Sequence, residues 1–92
     1  MRKIIFTSQY KKDLHLAIRR NLSEEKLNTL IKMLATDTPL PARNRDHALS
    51  GRFVGYRECH IQPNWLLIYS KDDDLHLLKL IRTGSHADLF GK

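Results

Sequence analysis

Apolar positions along this chain switch period partway through. Between Tyr10 and Leu34 they recur at helical spacing, and beyond residue 52 they crowd into short runs of strand character. Ile4-Ile5-Phe6 reads as a short opening strand. Tyr10, Leu14, Ala17 and Ile18 then build one helical face, with Lys11, Lys12, Arg19 and Arg20 lying off it. Thr7 or Ser8 offers the N-cap hydroxyl, and Asn21 can end the helix because it tolerates the left-handed conformation. The second helix starts at Ser23, with Glu24 and Glu25 where the helix dipole favours anions. Leu22 and Leu27 make a hydrophobic staple, and Leu27, Leu30, Ile31 and Leu34 repeat at i, i+3, i+4, i+7. Thr36-Asp37-Thr38-Pro39-Leu40-Pro41 stops it, since each proline disfavours a helical residue before it.

A polar connection from Ala42 to Gly51, containing Asp46-His47, leads to a hairpin spanning Arg52 to Tyr69. Its two strands join at Gln62-Pro63-Asn64, because Pro63 cannot donate to a sheet ladder. Trp65 to Tyr69 is an unbroken apolar and aromatic run, the pattern of a central strand. Lys71-Asp72-Asp73-Asp74 turns into a third strand, Leu75 to Arg82, which Thr83-Gly84 breaks. Ser85 can cap a last helical turn through Ala87, Asp88 and Leu89. The order is β-α-α-β-β-β in one domain spanning residues 1–92. Three consecutive strands on short connections predict an α+β fold. A helical hairpin packs on a small antiparallel sheet, and the N-terminal strand joins its edge or middle.

Composition adds a partner class. The chain of 92 residues carries a net charge of +6, which favours a polyanion. Residues 1–36 hold eight Lys/Arg against three acids, so the grip is expected on the helices; a basic face kept for solubility fits the same numbers. Cys59 is the single cysteine, which excludes an internal disulfide and fits a reducing cytoplasm. No apolar run approaches the ~20 residues of a membrane span, and no signal h-region follows Phe6, so no membrane partner is expected.

Five histidines are many for this length. His15 and His76 read as incidental. His47 precedes the hairpin, His60 sits at its turn and His86 follows the last strand. In an antiparallel meander the turn and the end of the last strand can share one end of the sheet. Zinc is not expected: ligand pairs at short spacing are missing, and adjacent Cys59 and His60 point to opposite faces of a strand. No Walker or Rossmann glycine pattern is present, so no nucleotide cofactor is implied. Metal-free RNA cleavage suits the residues better. Histidine can move the proton off a ribose 2′-OH or onto the departing 5′-oxygen near neutral pH. Arginine offers a permanently charged fork to phosphate oxygens, and Arg82 lies four residues from His86 across a strand end. Trp65 and Phe90 can hold an unstacked base. A ribonuclease, a non-catalytic nucleic-acid binder and a protein-interaction module all remain open on this reading.

Gly55-Tyr56-Arg57, the run from His60 through Pro63-Asn64-Trp65 to Tyr69, and Arg82-Thr83-Gly84-Ser85-His86-Ala87-Asp88-Leu89-Phe90-Gly91 are similar to YafQ-type toxins. So are Phe6 to Asp13 and Asp46 to Gly51, so the resemblance spans nearly the whole chain. These toxins sit in the RelE/ParE superfamily of type II toxin–antitoxin systems. The resemblance implies a RelE-like fold and an mRNA interferase that cuts the message in the ribosomal A site without a metal. It also implies a cognate antitoxin that neutralises it, with operator DNA bound only through that complex. By position, His47, His60 and His86 match the family's active-site histidines, Trp65 and Phe90 its aromatics, and Arg82 its phosphate-binding arginine. The expected roles follow. Arg82 stabilises the phosphorane, His86 is the acid and His60 or His47 the base. Asn64, Trp65 and Phe90 shape the codon pocket, and Lys11, Lys12, Arg19 and Arg20 grip ribosomal RNA. One position departs: Asn64 stands where the family has an aspartate, and an amide orients a neighbour but takes no proton at neutral pH. A ParE-like gyrase inhibitor, and a weakened toxin kept as a co-repressor, are the rival functions.

Overall fold

The computed structural model describes residues 1–91. Its elements are β1 (Lys3–Phe6), α1 (Ser8–Arg19), α2 (Glu24–Ala35), β2 (His47–Ala48), β3 (Arg57–Gln62), β4 (Trp65–Asp72), β5 (Leu77–Gly84) and α3 (His86–Phe90). Short 3-10 turns at Ala42–Asn44 and Gly51–Phe53 flank β2. The α+β architecture and the packing of the helical hairpin on the sheet agree with the sequence reading. The sheet differs in two respects: it has five strands in the order β1-β5-β4-β3-β2, the segment expected as a polar connection supplying β2, and β1 runs parallel to β5 on its edge. It is therefore mixed rather than antiparallel.

The helix boundaries follow local chemistry. Thr7 Oγ1 accepts from the Tyr10 amide at 2.9 Å, and Ser23 Oγ from the Lys26 amide at 3.3 Å. Asn21 takes a φ of 59° between the helices, as a left-handed stop must. Tyr10, Ala17, Leu27, Leu30 and Leu34 are buried, with Leu14, Leu22 and Ile31 packed around them. Ile18, expected on that face, is 40% exposed, while α1 packs against β5.

β4 is the axis of the sheet. Trp65, Leu67 and Tyr69 point into the core under the helices, together with Cys59, Ile61, Leu78 and Leu80. Leu66 and Ile68 point the other way, against Leu89, Phe53, Tyr56, Ile81 and Phe90. A strand covered on both faces needs a continuous apolar run, and Trp65 to Tyr69 supplies it. Two further boundaries shift. The strand expected from Arg52 starts at Arg57, because Gly51–Phe53 turns first, and the third strand runs from Leu77 through Thr83-Gly84. His76 lies in the turn before it, with a φ of 54°. Between the Ile68–Arg82 and Tyr69–Leu80 pairs β5 carries one extra residue, Ile81, a bulge near the end that leads to α3. Gly84 has no Cβ for a reason of space: one built there would meet Asp88 Cβ at 3.0 Å.

Candidate active site

Strand alternation sorts the chemistry onto one face. On β3, Cys59 and Ile61 enter the helix-side core, so Glu58 and His60 look out on the opposite side. β2 lies beside β3 with His47 directly across from Glu58. Asp46 fastens that segment, accepting from the Tyr69 hydroxyl and from Arg57 Nε at 3.3 Å. Gly84, at the end of β5, is paired with Leu66, which is itself paired with His60, so α3 opens close to His60. Ser85 and Asp88 close a capping box at its start.

Three histidines thereby converge from 47, 60 and 86. The His47 and His60 ring centroids are 6.4 Å apart, and those of His60 and His86 5.7 Å. His60 is 8% exposed while His47 and His86 are open to solvent. Beneath them lies Glu58, only 4% exposed, its carboxylate 3.5 Å from His47 Nε2 and 3.7 Å from His60 Nε2. The sequence reading missed it. The signal was the single acid of the strand, two residues from His60 and hence on its face.

Two tautomers are fixed by acceptors that cannot donate. His47 Nδ1 donates to the Arg45 carbonyl at 2.6 Å, which turns Nε2 toward Glu58. Asn64 Oδ1 accepts from both the His86 amide (3.2 Å) and His86 Nδ1 (3.1 Å), which leaves Nε2 as the free working atom. Burial pulls the His60 pKa below its ordinary value of 6.5, against the opposing pull of Glu58. His60 therefore holds the neutral form to lower pH than a free imidazole. Cys59, by contrast, is pushed up to about 12 by burial and offers no thiolate.

An aromatic wall borders the histidines. Phe90 lies 6.5 Å from the His86 ring and packs edge-on to Phe53 at 5.7 Å. Arg52 covers Phe53 with its guanidinium 5.2 Å from the ring and donates to the Leu89 carbonyl. Phe53 and Arg52 are further members the sequence reading did not select. A hollow of about 450 Å³ opens beside His60, lined in part by Arg43 and Arg45. Glu58, His60 and His86 present ligand atoms within 4.8 Å of one another, so a transition-metal ion could be held there.

The family model described as a bacterial toxin of type II toxin–antitoxin systems, YafQ, matches residues 2–91. The chain belongs to the YafQ toxin family. It is 46% identical to the mRNA interferase toxin YafQ of Escherichia coli K12, over 98% of this chain and 97% of that protein. Among solved structures it is similar to the E. coli DinJ–YafQ toxin–antitoxin complex, with 46% identity, a TM-score of 0.88 and 98% of both chains covered. It is also similar to a metal-bound toxin from Helicobacter pylori, with 34% identity and a TM-score of 0.92, covering 98% of this chain and all of that one.

Two residues matched to YafQ-type roles, and one expected from the charge of the helices to grip RNA, sit differently than expected. Trp65 is 1% exposed and donates from Nε1 to Thr83 Oγ1 at 2.9 Å, so its ring face is closed to a base. It lines the core because it is the first residue of a strand covered on both sides. Arg82 does not reach the histidines through any hydrogen bond among the described residues. Its Nε and Nη2 close on Asp13 of α1 at 2.9 and 3.0 Å. Arg20, expected to meet ribosomal RNA, is paired with Asp88 at 2.7 Å, and that contact holds the Asp88 carboxyl down at about 2. Lys12 and Arg19 are exposed without an ion pair among the described residues, and Lys11 lies over Phe6 at 5.1 Å.

Proposed function

We propose that this protein is an endoribonuclease toxin that cuts mRNA in the ribosomal A site without a metal cofactor, and that a cognate antitoxin neutralises it. Relatives named mRNA interferase toxins and a relative solved with the antitoxin DinJ support the class. The observation that carries the chemistry is the convergence of three imidazoles, two exposed and one buried, beside an open hollow.

His60 is the base. It takes the 2′-OH proton because burial keeps it neutral at physiological pH. The alkoxide attacks the adjacent phosphorus, a 2′,3′-cyclic phosphate forms and the bond to the 5′-oxygen breaks. His86 is the acid. With Nδ1 committed to Asn64, the proton delivered to the 5′-oxygen sits on Nε2. His47, held by the Arg45 carbonyl and facing Glu58, lines the cluster beside the base. Asp13 occupies only the Nε–Nη2 edge of Arg82, so the Nη1 side of the fork remains for a phosphate oxygen. Phe90 takes the base-stacking role that Trp65 cannot. Lys11, Lys12 and Arg19 supply the grip on ribosomal RNA, and operator DNA is met only through the antitoxin complex.

Induced expression without an antitoxin should arrest growth, with new mRNA 5′-ends mapped inside translated codons. His86→Ala should abolish both while leaving antitoxin binding intact; full toxicity in that variant removes His86 from the mechanism. Asn64 favours one second reading, a toxin weakened by the missing carboxylate and kept as a co-repressor. Absence of arrest by the wild-type chain would support it. A gyrase-poisoning activity would instead appear in a supercoiling assay and be indifferent to the histidines.

A further inference from the structure

The hollow beside His60 does not end there. A second concavity of about 530 Å³, bounded by α2, shares Arg43, Asn44, Ile61, Gln62 and Pro63 with it. The two are halves of one groove that starts at the catalytic histidine, passes round the β3–β4 turn and reaches α2. Its wall is rigid where it touches the site: Asn44 is buried and donates from Nδ2 to the His60 carbonyl at 2.7 Å. Arg45, at the bend, takes a left-handed backbone with φ 47° and ψ 47°. A non-glycine residue holds that conformation only when its surroundings enforce it.

The lining has two parts. Leu30, Met33 and Ile61 give the outer half an apolar floor. Lys26, Arg43 and Arg45 give the groove three cations against a single acid, Glu25. None of the three makes an ion pair among the described residues. Charge left unpaired along an apolar channel suits a ligand that alternates phosphates with flat apolar faces, which is single-stranded nucleic acid. The volume of either half also falls within the range of about 300–1,000 Å³ typical of small-ligand sites.

We propose that this groove is a subsite for unpaired ribonucleotides flanking the cleavage point, with the backbone phosphates on Arg43, Arg45 and Lys26 and a base over Leu30, Met33 and Ile61. The inference rests on the ribonuclease reading and extends it from the cleavage centre to the path of the strand. Continuity with His60 and the three cations along the way favour RNA, and occupation by an acidic segment of a protein partner is the outcome that the antitoxin assay below detects.

The test uses the full chain, Arg43→Glu and Lys26→Glu, with circular dichroism melts to confirm that the exposed substitutions leave the fold intact. The probe is a fluorescent pentaribonucleotide made uncleavable by 2′-O-methylation. Both variants should bind it about tenfold or more weakly, with the salt slope reduced by about 0.7 for each phosphate no longer held. On ribosome-bound mRNA KM should rise with kcat retained. Probe affinity and KM at wild-type values in both variants would overturn the proposal. So would variants that cleave normally but escape the antitoxin, since the groove would then hold a protein segment. Wild-type cleavage of mRNA, measured alongside, separates failure of the groove from failure of the ribonuclease reading: if the wild type does not cleave, both fall.

Discussion

Replacing Asp13 by alanine tests how much the edge of the site depends on α1. The Asp13 side chain is 9% exposed and accepts from Arg82 Nε at 2.9 Å, Arg82 Nη2 at 3.0 Å and the Thr83 amide at 3.2 Å. Hydrogen bonds involving a charged group contribute about 1.5–3 kcal/mol each, but three that share one carboxylate do not add in full. Removing one member of a fully buried pair costs about 3–5 kcal/mol, because the other charge is left without a partner. The Arg82 side chain keeps 26% of its surface in water, so part of that cost is recovered by hydration. The expected loss is about 2–3 kcal/mol. In a domain of this size 1 kcal/mol shifts the midpoint by about 4–8 °C, so melting should fall by roughly 10–20 °C. Asp13→Asn keeps one acceptor oxygen and should cost less, about 1 kcal/mol.

A double-mutant cycle with Arg82→Ala isolates the pair. The coupling should be about 1–2 kcal/mol, and cleavage by Asp13→Asn, measured well below its midpoint, should fall because the fork is no longer aimed. Losses that simply add, within about 0.5 kcal/mol, would refute the reasoning, since residues in one network must couple. So would Asp13→Asn with wild-type cleavage.

Trp65→Phe should cost about 1–3 kcal/mol of stability by leaving Thr83 Oγ1 without its indole donor, and KM should not change; Phe90→Ala should also lose roughly 1–2 kcal/mol of stability from its packing on Phe53 but should in addition raise KM by about 1–3 kcal/mol of missing base stacking. A selective rise in KM for Trp65→Phe would restore the tryptophan to base binding. The pH profile of kcat/KM follows from His60: its pKa is lowered by burial, the base must be neutral, and so activity should persist below pH 6.5 and decline only as the pH falls through that lowered pKa. An acid limb centred above 6.5 would assign the base elsewhere. Toxin stripped with EDTA and desalted before it meets the ribosome should cleave as well as untreated toxin, while zinc or copper loaded on the toxin should inhibit reversibly by taking the lone pairs of His60 and His86 beside Glu58. Stripped toxin that stays inactive until a transition metal is returned to it would contradict the acid–base mechanism.

How far the sequence carried depends on whether a signal is local. Helix caps at Thr7 and Ser23, the left-handed Asn21 and the two-faced run of β4 are read from a few neighbouring residues, and all appear in the structure. The convergence of His47, His60 and His86 required the hairpin topology as well, and short connections made that inferable. The parallel direction of β1 was not legible, because four residues, Lys3 to Phe6, show the same alternation in either sense. Asp13 and Arg82 lie 69 positions apart with no pattern linking them. Trp65 is a different kind of miss. An unbroken apolar run already implied cover on both faces, so the tryptophan belonged with its neighbours in the core rather than with the substrate.

These contacts give α1 a second task. β3 and β4 hold Glu58 and His60 from within the sheet, so that half of the site depends on packing that the whole domain shares. His86 stands on a five-residue helix at the end of β5, too short to be stable by itself. Its orientation comes from Asn64 on one side and from the Ser85–Asp88 box on the other, and Asp88 is pinned by Arg20 from α1. Asp13, about two helical turns earlier, holds Arg82 and the Thr83 amide just before α3 begins. The charges on α1 therefore divide by partner rather than by sign: Lys12 and Arg19 are exposed without an ion pair among the described residues, while Asp13 and Arg20 brace the end of the sheet that carries His86. Neutralising the first pair should weaken substrate binding and flatten its salt dependence. Neutralising the second should slow the chemical step with the salt dependence unchanged, and equal effects from both pairs would mean that α1 acts only as a basic surface.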